Sequence, residues 1–290
     1  MKSILWVTDK KGRVQYNRAM LLRSYMTDIE VDVVCLGDVR KRSYDLVYYS
    51  HFSQIERYPY SGKKIASITS HKCIDSLPQT MRTLKQFDGV SVNNLHLMNF
   101  FKDGVKPIFY TPNGVDSEIF SFIAHDRSIP LVLGWSGNRD RAVKNYKSLL
   151  QPLMKKASNV EFKVIATSKR DTHKNLLSQD QMKEFYQSLD FFVITSISEG
   201  TPNPGLEAMS CGTPCISTKV GNMTEIIQEG KNGFFVEPQS DSLVKAIERG
   251  LLLKNDEYSE MRAAVRGSIE QDWRWSQKAI AWIEFFKYFL

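Results

Sequence analysis

The sequence predicts an α/β protein built from two doubly wound domains, and three observations carry that expectation. Short apolar runs of strand length alternate with helix-period segments from end to end. At 290 residues the chain exceeds the roughly 100 to 200 usual for one domain. The alternation breaks once, at the turn formers Thr111-Pro112-Asn113-Gly114 and the polar run His125-Asp126-Arg127-Ser128, and then resumes.

In the first half, residues 4–7, 31–36, 46–49, 64–68, 89–92 and 107–110 read as strands. Residues 18–26, after a loop at Gly12, and 94–101 carry apolar side chains at helical spacing. The second half begins with a strand at 131–135, a helix over 145–156, a strand at 160–166 and a helix over 179–189. A strand at 191–195, a helix over 203–210 and strands at 214–217 and 233–236 follow, and helices over 241–252, 258–270 and 275–290 close the chain. The expected domains are 1–115 and 116–273. The last helix carries Trp275, Trp282, Phe285, Phe286, Tyr288 and Phe289, an apolar load that needs a second surface, so it is expected to pack back on the first domain. Parallel sheets bind ligands at the carboxyl ends of their strands, and two such domains facing each other make a cleft.

Composition narrows the class. Hydrophobic residues at 42% and charged residues at 24% suit a globular chain and exclude extended disorder. No apolar run approaches the roughly 18 residues of a membrane span, and the start turns charged at Lys10-Lys11, which predicts a first strand, no signal peptide and a cytoplasmic protein. Cys35, Cys73, Cys211 and Cys215 are too scattered for a disulfide framework, and Cys211 with Cys215 lacks the further ligands of a zinc site. The net charge of +7 suits anionic ligands. Residues 1–124 hold 17 Lys and Arg against 12 Asp and Glu, so +5 of it lies in that stretch, the first domain and the segment after it, with Arg40-Lys41-Arg42 and Lys63-Lys64 contributing. That balance is compatible with peripheral contact to an anionic membrane or, as a second choice, nucleic acid; solvated surface charge is the plainer account of each cluster.

The densest chemistry lies in Ser198-Glu199-Gly200-Thr201-Pro202-Asn203-Pro204-Gly205-Leu206-Glu207, directly after a strand. Asn203 is suited to cap the next helix, Pro204 to its first position, and Gly205 to exposing backbone N–H groups, together an anion site fit for a pyrophosphate. Glu207, one turn in, has the acceptors for a ribose diol, and Glu199 lies in the loop before it. An isolated glutamate there would read as a helix-dipole partner or a solvated charge; two of them framing a Gly- and Pro-rich turn point to a site.

On these residues the chain resembles the retaining GT-B glycosyltransferases of family four, whose signature is Glu, seven residues, Glu. Glu199 and Glu207 match it, as do Glu-Gly-Thr-Pro-Asn, Leu-Glu-Ala-Met, Cys-Gly-Thr-Pro and the later Gly221 with Glu225. Cys215 stands where valine is more common. The resemblance implies a GT-B fold of two Rossmann-like domains, with Glu199 on the donor sugar, Glu207 on the nucleotide ribose, and the backbone of Gly200, Thr201, Pro202, Asn203, Gly205 and Leu206 around the diphosphate. Gly134-Trp135-Ser136-Gly137-Asn138-Arg139, with Lys144 five residues on, is similar to the family's diphosphate-neutralising Arg and Lys; Arg141 competes with Arg139 for that role. Pro112-Asn113-Gly114-Val115-Asp116 resembles the interdomain segment. Gly12 matches the glycine near donor and acceptor, though flanked here by Lys10, Lys11 and Arg13. His71 resembles the active-site histidine, with His51 as competitor.

The implied function is transfer of a sugar from a nucleotide-diphosphate sugar to an unidentified acceptor with retention of configuration. No cofactor beyond that donor is implied, and no metal, since no Asp-x-Asp motif is evident. Two other classes compete: a glycoside hydrolase, which also pairs carboxylates but leaves Lys144 and the Gly205 turn unexplained, and a non-catalytic sugar-nucleotide or glycan-binding module.

Overall fold

The computed structural model describes residues 1–38, 43–155, 159–168 and 177–290. The Arg40-Lys41-Arg42 cluster and Lys156, the expected end of one helix, lie outside the described residues. The chain divides into two compact units, Met1–Asn113 with Ser276–Leu290, and Gly114–Trp275. Each holds one all-parallel sheet.

The first unit runs β1 (Lys2–Thr8), α1 (Val14–Tyr25), β2 (Ile29–Cys35), β3 (Leu46–Tyr49), a 3₁₀ turn Phe52–Glu56, β4 (Lys64–Ile68), α2 (Lys72–Asp75), α3 (Leu77–Leu84), β5 (Gly89–Val92), α4 (Leu95–Phe101) and β6 (Ile108–Tyr110). The second runs β7 (Leu131–Asn138), a 3₁₀ turn Ala142–Lys144, a π-helical turn Tyr146–Leu150, α5 (Gln151–Met154), β8 (Val160–Thr167), α6 (Gln179–Gln187), β9 (Phe191–Ile194), α7 (Asn203–Ser210), β10 (Cys215–Thr218), α8 (Met223–Ile226), β11 (Gly233–Val236), α9 (Ser240–Leu252) and α10 (Asn255–Asp272). The closing helix α11 (Trp275–Phe289) lies almost wholly in the first unit.

Sheet order in the first unit is β2-β1-β3-β4-β5-β6, so strand order reverses at β1. One face packs Phe52, Ile55, Leu84, Leu97 and Phe101. The other is covered by α11: Trp282 stacks on Trp6 at 6.0 Å between ring centroids, and Phe286 meets Trp6 at 5.3 Å and Tyr48 at 5.1 Å. Both indole N–H groups are satisfied, Trp6 Nε1 donating to Ser50 Oγ (2.8 Å) and Trp282 Nε1 to the Pro112 carbonyl (2.9 Å). Buried tryptophans need such partners. Gly89 has no room for a side chain, because a Cβ there would enter the Phe289 ring.

The second sheet has the order β11-β10-β9-β7-β8, reversing between β7 and β9. The two crossovers that leave these strands go to opposite faces. Leu149, Leu150 and Leu153 pack into one core with Trp135 and Phe191, and Leu206, Ala208 and Met209 pack into the other with Phe192 and Ile194.

Three sequence expectations need correction. α1 begins at Val14, four residues before the expected start, because Gly12 at φ +76° turns the chain directly into the helix. β7 continues three residues past Trp135, since β8 pairs it through Asn138↔Thr167. The helix expected over 145–156 is a π turn followed by α5, entered through Asn145 at φ 52°, so Lys144 ends a 3₁₀ turn instead of starting a helix.

Because α11 supplies most of one core face, Phe286→Ala should lower stability by about 3 to 5 kcal/mol, whereas Ile280→Ala, 59% exposed on the same helix, should stay within about 0.5 kcal/mol. Urea unfolding of the two variants beside the wild type measures the difference.

Candidate functional site

In the second unit the residues singled out by sequence gather at the carboxyl ends of β7 and β9, where the strand order reverses. Open parallel sheets form a ligand crevice at such a point. A pocket there is lined by Ser136, Lys144, Ser196, Pro202, Pro204 and Gly205. Lys144 is fixed through its backbone: its carbonyl accepts from Thr195 Oγ1 (2.7 Å), and the neighbouring Val143 carbonyl accepts from the Ile197 amide (2.9 Å). Its ammonium lies 2.6 Å from Glu199 Oε1, and both side chains are nearly buried, 14% and 11% exposed. Ser196 Oγ donates to the same carboxylate oxygen at 2.8 Å. A charged amine held this way stays desolvated without being isolated.

The loop between β9 and α7 is held from below. Gly221, at φ 49°, sits so close that a Cβ would collide with the Gly200 carbonyl oxygen and lie 3.1 Å from Pro202 Cδ. Thr201 Oγ1 donates to Asn222 Oδ1 (2.6 Å), and Asn222 Nδ2 donates to Glu225 Oε1 (3.2 Å). These contacts give Gly221 and Glu225 a common task, support of the 200–202 segment.

The start of α7 differs from expectation. Pro202 occupies the cap position and Asn203 is already helical, because Pro202 holds a non-helical ψ of 79°. The Gly205 and Leu206 amides donate to the Pro202 carbonyl at 2.8 and 3.3 Å, and the Asn203 amide to Thr201 at 3.0 Å. Gly205 is buried, and a Cβ on it would lie 2.7 Å from Ile194 Cδ1 and 3.1 Å from Met223 Sδ. Its lack of a side chain therefore serves close packing of α7 on β9, in addition to whatever its backbone offers a ligand.

Glu207 is partly buried. Its Oε2 accepts from Tyr186 Oη at 2.7 Å, and Tyr186 is itself inaccessible, packed between Phe120 and Phe192. Burial raises the Glu207 carboxyl above its ordinary value while the Tyr186 hydrogen bond opposes the shift, and burial pushes the phenol well up. Neither Tyr186 nor Ser136 was found from the sequence. Tyr186 lies 21 residues from its partner on a different helix, and its phenol on a buried helix stripe was the available signal. Ser136, in the stretch of β7 beyond Trp135, is buried and lies beside the Tyr186 phenol.

Other sequence candidates lie elsewhere. Asn138 uses Oδ1 to accept from the Asp140 amide (2.9 Å), and Arg139 and Arg141 are exposed in the turn beyond β7. Gly12 and His71 belong to the first unit. His71 follows β4 by three residues; its Nε2 is 3.3 Å from Asn94 Oδ1 and its ring lies 4.7 Å from that of His96. His51 caps the Phe52–Glu56 turn, its Nδ1 3.3 Å from the Ser53 amide, and burial lowers it to about 4, so at neutral pH it is an uncharged capping group. Burial also pushes the Cys211 thiol up to about 12 and raises that of Cys215. Among the described residues no group of three His, Cys, Asp or Glu side chains is placed to hold a metal ion, and no helix is long and apolar enough to cross a membrane.

The architecture is that of GT-B glycosyltransferases. It superposes on sucrose-phosphate synthase from Thermosynechococcus elongatus with a TM-score of 0.79 over 99% of both chains, at 12% identity. Anabaena HepE, solved with UDP and glucose, gives 0.75 over 99% of this chain and 100% of that one, at 13% identity. Residues 154–267, which include Glu199 and Glu207, match the family model for glycosyl transferases group 1. The Bacillus anthracis N-acetyl-alpha-D-glucosaminyl L-malate synthase is 35% identical over 107 residues, which are 37% of this chain and 28% of that protein. The Arabidopsis thaliana sulfoquinovosyl transferase is 36% identical over 104 residues, 34% of this chain and 20% of that one. The chain thus matches less than a third of the length of either relative.

Tyr186→Phe removes the donor to a partly buried carboxylate and should destabilise the protein by about 1 to 3 kcal/mol at neutral pH. A carboxyl whose folded pKa is raised disfavours folding once ionised, so its penalty is absent at low pH and grows as pH rises through the folded value. Losing the Tyr186 bond raises that value further and enlarges the penalty. Thermal denaturation of both proteins from pH 4 to 8 should show the deficit of the variant widening toward high pH.

Proposed function

We propose that the protein is a retaining glycosyltransferase of family four that moves a sugar from a nucleotide-diphosphate sugar to an acceptor hydroxyl. The observation that carries this reading is the gathering of Lys144, Glu199 and the start of α7 at one strand-order reversal, with Glu199 and Glu207 both inside the segment that matches the glycosyl transferases group 1 model. Neither the hydrolase nor the non-catalytic module is favoured by those matches.

In this reading the nucleotide ribose hydrogen-bonds Glu207, whose carboxylate Tyr186 holds in place. The diphosphate lies by the first turn of α7 with Lys144 and Arg139 supplying positive charge. As the bond from the anomeric carbon to the phosphate oxygen breaks, negative charge grows on the leaving diphosphate, and a preorganised cation is most effective there. The acceptor oxygen bonds to the anomeric carbon on the face the diphosphate leaves, and its proton passes to that leaving group. Glu199 contacts the transferring sugar and also holds Lys144. The first unit is assigned the acceptor, with His71 and Gly12 as its candidate site residues. The protein's own cations take the part a divalent ion plays elsewhere, so turnover is expected to survive exhaustive chelation; strict dependence on added metal would count against it.

Screening nucleotide sugars by thermal shift and by slow donor hydrolysis identifies the donor. With that donor, Glu207→Ala should weaken nucleotide affinity by about ten- to a hundredfold, the loss of charge-assisted hydrogen bonds of roughly 1.5 to 3 kcal/mol. Glu199→Ala should lower kcat more than it changes KM. Because Glu199 and Lys144 touch, Glu199→Ala and Lys144→Ala should be non-additive, with a coupling of about 0.5 to 3 kcal/mol in a double-mutant cycle. Wild-type affinity and turnover in both glutamate variants would leave these residues a structural role only, in the Lys144 ion pair and the Tyr186 hydrogen bond.

A further inference from the structure

The first unit buries a guanidinium whose donors are only partly met, although Asp9 attracts its charge. Arg18 of α1 is 6% exposed, and its guanidinium stacks 4.8 Å over the Trp282 ring. One nitrogen donates to Asn113 Oδ1 at 3.3 Å, while Nε and the other terminal nitrogen are enclosed without an acceptor. Burial lowers the guanidinium from its ordinary value, yet arginine stays ionised in proteins. Arg262, buried in the second unit, shows how a structural arginine is treated: its terminal nitrogens face His125 Nε2, Tyr258 Oη and the carbonyls of Ile123 and Cys211, and only Nε goes without an acceptor. Arg18 has no comparable set. A buried guanidinium with open donors is unfavourable unless something else satisfies them.

Its position says what that something is. Arg18 follows β1, where the strand order of the first sheet reverses, so it stands at the switch point of that sheet as Lys144 does in the second. The loop leading to it exposes Lys10, Lys11 and Arg13 around Gly12, a cationic rim that draws anions. Asp9, at the base of that loop, acts on the guanidinium as an opposite charge and keeps a buried oxygen without a donor, a place for a hydroxyl of the same ligand.

We infer that Arg18 is the anchor of an oxyanion-binding site in the first unit, taking a carboxylate or phosphate group through the fork of its two open nitrogens. Resting on the glycosyltransferase reading, this makes the acceptor an anionic molecule, a hydroxy acid or a phosphorylated alcohol, with its anion on Arg18. Entry requires movement of the exposed loop 9–13, since the donors are closed off. Asn113 and Trp282 orient the guanidinium plane.

The test titrates the whole protein with inorganic phosphate and, separately, malonate, reading tryptophan fluorescence and thermal stability; the two arms distinguish phosphate from carboxylate. A saturable response to one or both is expected, weakened about ten- to a hundredfold in Arg18→Met, as for the loss of charge-assisted hydrogen bonds. If that variant does not fold, the Arg18 Nε–H resonance of the wild type decides, and phosphate or malonate should shift it. No saturable response in the wild type, an unchanged response in Arg18→Met, or an unmoved resonance overturns the inference. UDP binding, measured in parallel, separates the two readings: anion binding without UDP binding defeats the donor proposal and leaves Arg18 standing, and the converse defeats Arg18 alone.

Discussion

The reversal of strand order in each parallel sheet is the constraint on which the rest of the structure depends. Where two neighbouring strands send their crossovers to opposite faces, neither crossover covers the gap between their carboxyl ends. In the second unit those strands are β7 and β9, and the two cores that receive Leu149 and Leu206 are different cores. The gap is therefore a property of the backbone path, before any side chain is chosen. What the sequence adds is the set of groups that stand at its edge: Lys144 from one crossover, Glu199 and the turn into α7 from the other.

Those groups are held by close backbone approaches that only glycine permits. Gly221 lies under the Gly200 carbonyl, and Gly205 lies against Ile194 and Met223. The first fixes the height of the loop, the second fixes the distance of α7 from the sheet. A side chain at either place would displace the very turn that presents Pro202 and Pro204 to the pocket. Rigidity here has an electrostatic use, because a cation or dipole stabilises developing charge best when it does not have to move.

Much of this was legible, and the reasons differ by feature. Strand and helix alternation records burial on two faces, so the two sheets could be read from apolar runs alone. The aromatic load of α11 announced a second surface, and Trp6 and Tyr48 supply it. The Glu199 and Glu207 pair stood out because both glutamates flank one turn. What could not be read was set by contacts distant in sequence. The 3₁₀ and π turns around Lys144 depend on Thr195 and Ile197, some 50 residues away. Tyr186 had no local mark of its tie to Glu207. Arg18 was absorbed into a helix stripe with Leu22, although a charge on such a stripe is itself a signal, since arginine is seldom buried without partners.

The two switch points are alike in backbone and differ in how the cation is held, and this difference divides the work between the units. At β7 and β9 the nearly buried cation Lys144 has a carboxylate at 2.6 Å, so that edge is close to neutral before anything binds. A site of that kind can admit a ligand whose charge changes during reaction, because the carboxylate and the cation are each available to a different part of it. At β1 the buried Arg18 donates to one amide oxygen and is attracted by Asp9, and its other two nitrogens have no acceptor within the protein. A fold that holds one cation in a close ion pair and another with open donors at equivalent positions is suited to two ligands of different character: one whose charge changes as it reacts, and one that offers the open donors a fixed set of acceptors.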